Sequence, residues 1–280
     1  MTTTSLTDKP APFLRWAGSK RVQAPLLLDY WKSRRFFRFI EPFLGSGSFF
    51  FAAQPPDARL NDINRDLVAT FNAVRDHPDQ VFSIYSDFPA SGPFYYELRG
   101  HSATTGDSDP WLAARFIFLN RFAFNGLYRT NLKGQFNVPF SASRNGHLPS
   151  LQALRSSAAA LLSASLSSQD FQRFVEVTVS PGDLVYLDPP FFRSESRSFL
   201  YHPESFNGGD LARLSACLEL IHDRGAHFLL SYDDSVDHRL FESWHLISFD
   251  VRRRIAANAK HRRINRELLV SNFVPGIQRD

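Results

Sequence analysis

The chain has 280 residues, of which 43% are hydrophobic and 21% are charged. This balance excludes wholesale disorder and suffices for one large core, or for one domain with a sizeable insertion. The single cysteine, Cys217, excludes a disulfide framework and a multi-cysteine zinc site. The polar N-terminal segment lacks a signal-peptide core, and no apolar run approaches the roughly 18–20 residues that cross a bilayer. We therefore expect a soluble, globular, cytoplasmic protein.

Basic residues are concentrated in two segments of the chain. The net charge is only +4, but the sequence pI is about 9.3, and segments 32–38 and 252–266 are rich in arginine and lysine. This distribution favours a polyanion as partner, although solvated basic faces are also common. The 28 phenylalanines can fill a core or stack on nucleobases.

Both ends of the chain have the pattern of a parallel α/β sheet. Residues 38–78 predict a strand, a glycine turn, a helix from Ser48, a second strand into Asn61-Asp62, and a further helix. Later segments predict strand 184–187, helix 210–224, strand 226–232 and two final strands that flank a basic connection.

Between about residues 76 and 170 the pattern changes, which indicates an inserted domain. Turn residues dominate 86–110, a helical segment follows at 111–124, and 125–140 is hairpin-like. A serine- and alanine-rich helix is predicted over 151–168.

The glycine turn after the first strand predicts a nucleoside-binding site. Gly45 and Gly47 lack the third glycine of a dinucleotide fingerprint, because Phe50 stands in its place. Glu41 precedes the turn, and Asp62 follows the next strand at the distance at which a carboxylate meets ribose hydroxyls. A small turn followed by an acid suits a cationic nucleoside without phosphates, such as S-adenosylmethionine.

A second small turn lies upstream, in the segment PFLRWAGSKR. Trp16 and Lys20 flank Ala17-Gly18, and Lys20 could meet a carboxylate such as that of the cofactor's methionine part. A core tryptophan and a surface lysine are the alternative.

The tetrapeptide Asp188-Pro189-Pro190-Phe191 is the most informative motif. Two prolines cannot extend a central strand, so the chain must leave the sheet there. The Asp188 carboxylate and the Pro189 carbonyl then project as acceptors at the carboxyl end of a strand, where they can accept both N–H groups of an exocyclic amine. Phe191 can stack on the base that carries this amine.

Several motifs, taken in their order along the chain, resemble those of the Dam-type (D12 class) DNA adenine-N6 methyltransferases. They are RWAGSK, EPFLGSGSFFF, NDIN, NRFAFNGLYRTNLKGQFNVPF and VYLDPPFF, with LLSYDDS and RRINRELL near the end. The resemblance implies a Rossmann-like S-adenosylmethionine-dependent methyltransferase fold with a mixed, mostly parallel seven-stranded sheet. It also implies a catalytic domain at 1–75 and 170–280. The target-recognition domain, mainly helical with a DNA-reading hairpin near 124–140, would be inserted at 76–169.

The motifs and the resemblance together assign residues to roles. Asp188, Pro189, Pro190 and Phe191 would be the catalytic motif, with Phe191 in place of the family's usual tyrosine. The residues expected to bind the cofactor are Trp16, Ala17, Gly18, Lys20, Glu41, Gly45, Gly47, Asp62 and Asp188. The residues expected to bind DNA are Asn125, Arg129, Asn131, Lys133, Gln135, Lys260, Arg262 and Arg263.

The implied reaction is methylation of adenine N6 in duplex DNA, with the target base flipped out and no metal required. Two alternatives stay open. The first is methylation of cytosine N4, which stays open because Phe191 replaces the family's usual tyrosine. The second is a non-catalytic DNA-binding subunit of the same fold. We further expect a monomer or weak dimer, nucleoid association in a prokaryote or phage-infected cell, and a cognate restriction enzyme as one candidate partner.

Overall fold

The computed structural model describes residues 9–102, 104–131, 134–141, 146–191, 206–251 and 265–275. Consecutive helices occupy the middle of the chain, and strands alternate with helices on either side. The helices are α1 (Ala24–Lys32), α2 (Ser48–Ala53), α3 (Arg65–Asp76), α4 (Pro78–Ser86), α5 (Gly92–Gly100), α6 (Asp109–Phe122), α7 (Leu151–Leu161), α8 (Phe171–Thr178) and α9 (Gly208–Asp223). The strands are β1 (Phe39–Glu41), β2 (Ala58–Asn61), β3 (Ala164–Ser167), β4 (Leu184–Leu187), β5 (His227–Asp233), β6 (His245–Val251) and β7 (Asn265–Ser271).

The strands form one seven-stranded sheet in the order β3-β2-β1-β4-β5-β7-β6. Strands β2, β1, β4 and β5 pair in parallel, whereas β7 runs antiparallel to both β5 and β6. The predicted α/β fold with a mixed, mostly parallel seven-stranded sheet is therefore confirmed. Because parallel strands end at the same edge, residues that follow β1, β2 and β4 are brought to one edge of the sheet.

The chain divides into two compact units. Unit 1 takes in Met1–Arg21, Gly45–Gln54 and Asn64–Ser168. Unit 2 takes in Val22–Leu44, Pro55–Ile63 and Gln169–Asp280.

In unit 1, α6 is the central helix and packs against α3, α4 and α5. Its Phe118 and Phe122 are buried together with Tyr95 of α5. Two buried tyrosine hydroxyls donate to loop carbonyls: Tyr95 to Val138 at 3.0 Å and Tyr85 to Pro149 at 2.7 Å. These bonds join the long segment after α6 to the helices.

In unit 2, one face of the sheet forms the main hydrophobic core. Alternate residues of the strands pack there with α8 and α9, and they include Ile40, Val185, Leu187, Phe228, Leu230, Leu268, Val270, Phe174, Val175, Leu214 and Leu218. Since side chains alternate between faces along a strand, the residues between these positions face the other way. Glu41, Tyr186, Ser231 and Glu267 therefore share the opposite face, where Gln23, at the start of α1, hydrogen-bonds Glu267.

Two segments differ from the sequence prediction. The turn-rich composition of 86–110 predicts no helix, yet α5 forms there with Pro93 in its first turn, and the Ser91 hydroxyl accepts from an amide of that turn. The predicted helix 151–168 is wrong in its second half, because α7 ends at Leu161 and β3 follows. Incorporation into the sheet outweighs the helix propensity of the serines and alanines.

The two final strands are confirmed as β6 and β7, and the basic connection between them lies outside the described residues. Within the described part of the chain, no helix is long and apolar enough to cross a membrane.

The start of β4 is stabilised by a charged pair that yields a stability prediction. Asp183 is fully buried and accepts from the Arg38 guanidinium at 3.0 and 2.6 Å and from the Ser180 amide at 2.8 Å. Asp183→Ala would leave the Arg38 guanidinium without its carboxylate, so we expect a loss of about 3 kcal/mol in the free energy of unfolding. Urea denaturation measures this loss.

The matched control is Asp79→Ala, which removes an exposed pair with Arg155. We expect no measurable change there, because exposed ion pairs contribute little. Equal losses in the two variants would contradict the assigned importance of the buried pair.

Candidate active site

Three carboxylates lie at the carboxyl edge of adjacent parallel strands in unit 2. Glu41 is the last residue of β1, Asp62 follows the last residue of β2, and Asp188 follows the last residue of β4. The strand order β2-β1-β4 makes these three strand ends neighbours. Open α/β sheets bind ligands at this edge.

Glu41 is the most perturbed of the three acids. Its side chain is only 2% exposed, and its Oε2 atom has no hydrogen-bond partner among the described residues. Burial raises the pKa of Glu41 well above its ordinary value of 4.5, and the nearby charges of Asp188 and Asp62 raise it further. The edge therefore carries a buried acceptor that favours a positively charged or N–H-bearing ligand.

Asn61 holds the loop after β1 against the end of β2. Its side-chain amide donates to the carbonyls of Pro42 at 3.1 Å and Gln169 at 3.0 Å, and its Oδ1 accepts from the Gln169 amide at 2.9 Å. The Leu44 amide donates to the Asn61 carbonyl at 2.8 Å. Sequence reasoning missed this residue, although its position beside Asp62 at a strand end was a usable signal.

The Asp188–Phe191 segment leaves the sheet as its prolines predict. All four residues of β4 are buried, Asp188 is half-buried, and Pro190 is exposed. The Phe191 ring is half-buried and packs on Tyr232 of β5, with ring centroids 5.3 Å apart. This contact fixes the Phe191 ring beside Tyr232, three residues along the chain from Asp188.

Beside Asp188, the Tyr186 hydroxyl shares a hydrogen bond with Ser231 at 3.1 Å. Burial raises the pKa of Tyr186 well above its ordinary value, and the charges of Asp188, Glu41 and Glu267 contribute to this. Tyr186 is therefore a neutral phenol beneath the acidic edge.

In unit 1 the two small turns contact each other. Gly45 adopts φ +48°, and a Cβ atom there would lie 2.8 Å from Cδ1 of Trp16, so only glycine fits. The Ser48 hydroxyl shares hydrogen bonds with Ser46 at 2.9 Å and Ser19 at 2.8 Å. The structure thus brings together two segments that the sequence assigned to one cofactor site.

The other predicted residues of these turns are also described. Gly47 has φ +64° and precedes α2, Gly18 has φ +81°, and Ala17 and Gly18 are exposed. Lys20 is only 2% exposed, so the surface-lysine alternative is wrong. A buried ammonium must be stabilised by partners of opposite charge or by acceptors.

The hairpin-like stretch in unit 1 is confirmed as a short antiparallel turn. Thr130 and Phe136 form a bridge, and the Asn131 amide donates to the Gln135 carbonyl at 2.8 Å. Exposed Arg129 donates from Nε to Oδ1 of Asn137 at 2.8 Å.

Other predicted DNA-binding residues lie in or near this hairpin. The side chains of Asn131 and Gln135 hydrogen-bond each other at 3.0 Å, and Asn125 precedes them at a left-handed φ of +56°. Asn131 and Gln135 also line a cavity of about 580 Å³ with Arg99, Arg115 and Tyr128. The ring of Tyr128 stacks on both Trp16 and Phe116, with centroids 5.4 Å apart in each case.

Four predicted DNA-binding residues lie outside the described residues, namely Lys133, Lys260, Arg262 and Arg263. Among the residues that the structure does describe, no cluster of histidine, cysteine and acids could hold a metal ion.

Comparisons with known proteins agree with this geometry. A family model described as D12 class N6 adenine-specific DNA methyltransferase matches residues 16–255. The Type II methyltransferase M1.LlaDCHI of Lactococcus lactis subsp. cremoris is 31% identical, over 94% of this chain and 95% of its own length. The Type II methyltransferase M.MjaIII of Methanocaldococcus jannaschii is 30% identical, over 94% and 99%. The DNA adenine methylase of Salmonella typhi is 30% identical, over 96% and 97%.

The raised pKa of Glu41 predicts a stability gain on its replacement. As pH rises above about 4.5, the unfolded state releases a proton that folded Glu41 retains, so the wild type loses stability. Glu41→Gln lacks this loss. We expect its free energy of unfolding to exceed that of the wild type by about 1–3 kcal/mol at neutral pH, and we expect this difference to shrink in acid.

Urea denaturation across a pH series measures the effect, and exposed Glu219→Gln is the control. A wild type as stable as Glu41→Gln at neutral pH would contradict the burial of an unsatisfied carboxyl group.

Proposed function

The chain belongs to the D12 class N6 adenine-specific DNA methyltransferases, and we propose that it transfers a methyl group from S-adenosylmethionine to N6 of an adenine flipped out of duplex DNA. The family description and the relatives' names favour adenine over the cytosine alternative. They also favour an enzyme over a non-catalytic subunit. The observation that carries the proposal is the set of three carboxylates at one sheet edge, with Glu41 buried and unsatisfied.

The residues present fit a cationic nucleoside cofactor. The unsatisfied Oε2 of Glu41 is an acceptor in a low-dielectric environment, and Asp62 at the next strand end would hold the ribose hydroxyls. In unit 1, Gly45 and Trp16 supply a tight turn against an aromatic ring, and Lys20 would meet the methionine carboxylate. When bound, the cofactor supplies an electrophilic methyl group on a sulfonium.

At the end of β4, the residues would orient the nucleophile. The Asp188 carboxylate and the Pro189 carbonyl would accept the two N–H bonds of the adenine amine, which turns its lone pair toward the methyl group. The amine nitrogen would take up the methyl group as the carbon–sulfur bond breaks, which would leave S-adenosylhomocysteine, and the methylated amine would then release one proton to water. Phe191, fixed against Tyr232, would stack on the flipped base.

The hairpin would read the sequence around the target. Arg129 and Gln135 are exposed and carry the donors and acceptors that suit guanine and adenine edges. Asn125, Asn131 and the undescribed Lys133 would belong to the same surface. Residues 76–169 would form the target-recognition domain, and Lys260, Arg262 and Arg263, which lie outside the described residues, would contact phosphates.

Mass spectrometry of digested DNA tests the reaction directly. Unmethylated genomic DNA is incubated with the protein and S-adenosylmethionine that carries a deuterated methyl group. We expect N6-methyladenine with the heavy methyl group. Labelled N4-methylcytosine, or no labelled base, would contradict the proposal.

Asp188→Ala tests the role of the catalytic carboxylate. Loss of one charged acceptor for the developing positive charge should lower kcat by about a thousandfold, because such groups act mainly in the transition state. DNA affinity, measured by fluorescence anisotropy, should stay near the wild-type value. The control is exposed Asp237→Ala, and full methylation by Asp188→Ala would refute the mechanism.

Arg129→Ala tests the reading of sequence by the hairpin. Loss of one bidentate base contact should relax discrimination at one position of the site by about 1–3 kcal/mol, with kcat on the preferred site less affected. Sequencing of the methylated positions measures the change, and Arg173→Ala on α8 is the control. An unchanged site profile for Arg129→Ala would contradict its role.

A further inference from the structure

Gln23 and Glu267 form a buried polar pair that the proposed mechanism leaves unused. Gln23 is 6% exposed and Glu267 is 2% exposed. The Gln23 amide nitrogen donates to the Glu267 carboxylate at 3.0 Å. The other end of the same amide, Oε1, has no hydrogen-bond partner among the described residues. Burying such an acceptor without a partner is costly, so a hydrogen-bond donor is expected there.

The chemistry of the pair fixes which end of the amide is unsatisfied. A carboxylate only accepts hydrogen bonds, so Glu267 must face the NH₂ group of Gln23 rather than its oxygen. Glu267 thereby points Oε1 away from itself. The amide cannot reverse without setting two oxygens against each other.

The pair lies at the same edge of the sheet as Asp188. Glu267 pairs with Asp233, the last residue of β5, and the register of β4 with β5 sets Asp188 level with Ser231. Two strand spacings and two residues therefore separate the Cα atoms of Asp188 and Glu267, about 12 Å in ordinary sheet geometry. This separation is within the span of a nucleoside that carries an amino-acid chain.

Helix α1 fixes the pair against the sheet. Tyr30, seven residues after Gln23, packs edge-on against Phe273, two residues after the end of β7, with ring centroids 5.5 Å apart. The helix thus runs along β7 on the face that also holds Glu41 and Tyr186. Gln23 is the N-cap residue of this helix, but its side chain makes no capping hydrogen bond.

The charge of this face selects the ligand group. Glu41 and Glu267 lie on this face and Asp188 follows Tyr186 at its edge, so the face is rich in acids and favours a cation. A sulfonium has no N–H to offer, and the two N–H bonds of the target amine are already assigned to Asp188 and Pro189. The group of the cofactor that is both a cation and an N–H donor is its α-ammonium group.

Resting on the proposed function, we propose that Gln23 contacts the cofactor directly, with Oε1 accepting a hydrogen bond from the α-ammonium group of its methionine part. Glu267 is a positioning residue that orients the Gln23 amide. Gln23 thereby distinguishes a complete amino-acid chain from one that lacks the amino group.

Calorimetric titration of two ligands into two proteins tests the contact. S-Adenosylhomocysteine and its analogue without the α-amino group are titrated into the wild type and into Gln23→Met, which keeps the side-chain length but removes the acceptor. We expect the wild type to lose about tenfold to hundredfold in affinity when the amino group is absent. Gln23→Met should bind both ligands as weakly as the wild type binds the analogue.

The proposal would be overturned if removal of the amino group from the ligand lowered the affinity of the wild type and of Gln23→Met by the same factor. It would also be overturned if Gln23→Met kept full affinity for S-adenosylhomocysteine and instead raised KM for DNA, since Gln23 would then face the target base. Exposed Gln80→Met is the control. A wild type that binds neither ligand would contradict the proposed function itself, which separates the two failures.

Glu267→Gln is the second variant and decides the matter if Gln23→Met does not fold. An amide at position 267 can face either end of the Gln23 amide, so the orientation of Oε1 is lost. We expect Glu267→Gln to discriminate less between the two ligands, and to raise KM for the cofactor more than it lowers kcat. Wild-type discrimination in this variant would overturn the positioning role.

Discussion

A carboxyl group buried at a strand end is the constraint on which this site depends. Glu41 is buried from solvent, has one oxygen without a hydrogen-bond partner among the described residues, and interacts electrostatically with the charges of Asp62 and Asp188. Each of these conditions disfavours the ionised form of the acid. A cation at this edge would reverse that preference. The fold therefore holds a destabilising group at a position where a positively charged ligand would be stabilised.

The rest of the scaffold keeps this arrangement in place. Asn61 ties the loop after β1 to the end of β2. The pair of Arg38 and Asp183 joins the starts of β1 and β4, at the edge of the sheet away from the acids. Hydrogen bonds and charges buried in this way resist rearrangement, because a broken partner would be left unsatisfied. The acids are thus held on rigid strands, while the residues proposed to read DNA lie on the hairpin of unit 1.

Sequence patterns were sufficient for features that depend on local chemistry. Glu41, Asp62 and Asp188 follow from strand ends and proline rules, and their adjacency needs only the parallel sheet that the pattern predicts. The pair of Gln23 and Glu267 could not be predicted this way, because it joins residues 244 apart through the order of β5 and β7. Strand β3 was missed for a similar reason, since its conformation is set by its place in the sheet rather than by its own residues.

Proton release on cofactor binding tests the central role of Glu41 most directly. S-Adenosylmethionine is titrated calorimetrically into the protein in two buffers of different ionisation enthalpy, at several pH values between about 5 and 8. The account predicts that binding releases a proton from Glu41, so the heats differ between buffers, and that Glu41→Gln abolishes the difference. Heats independent of the buffer at every pH for the wild type would contradict it.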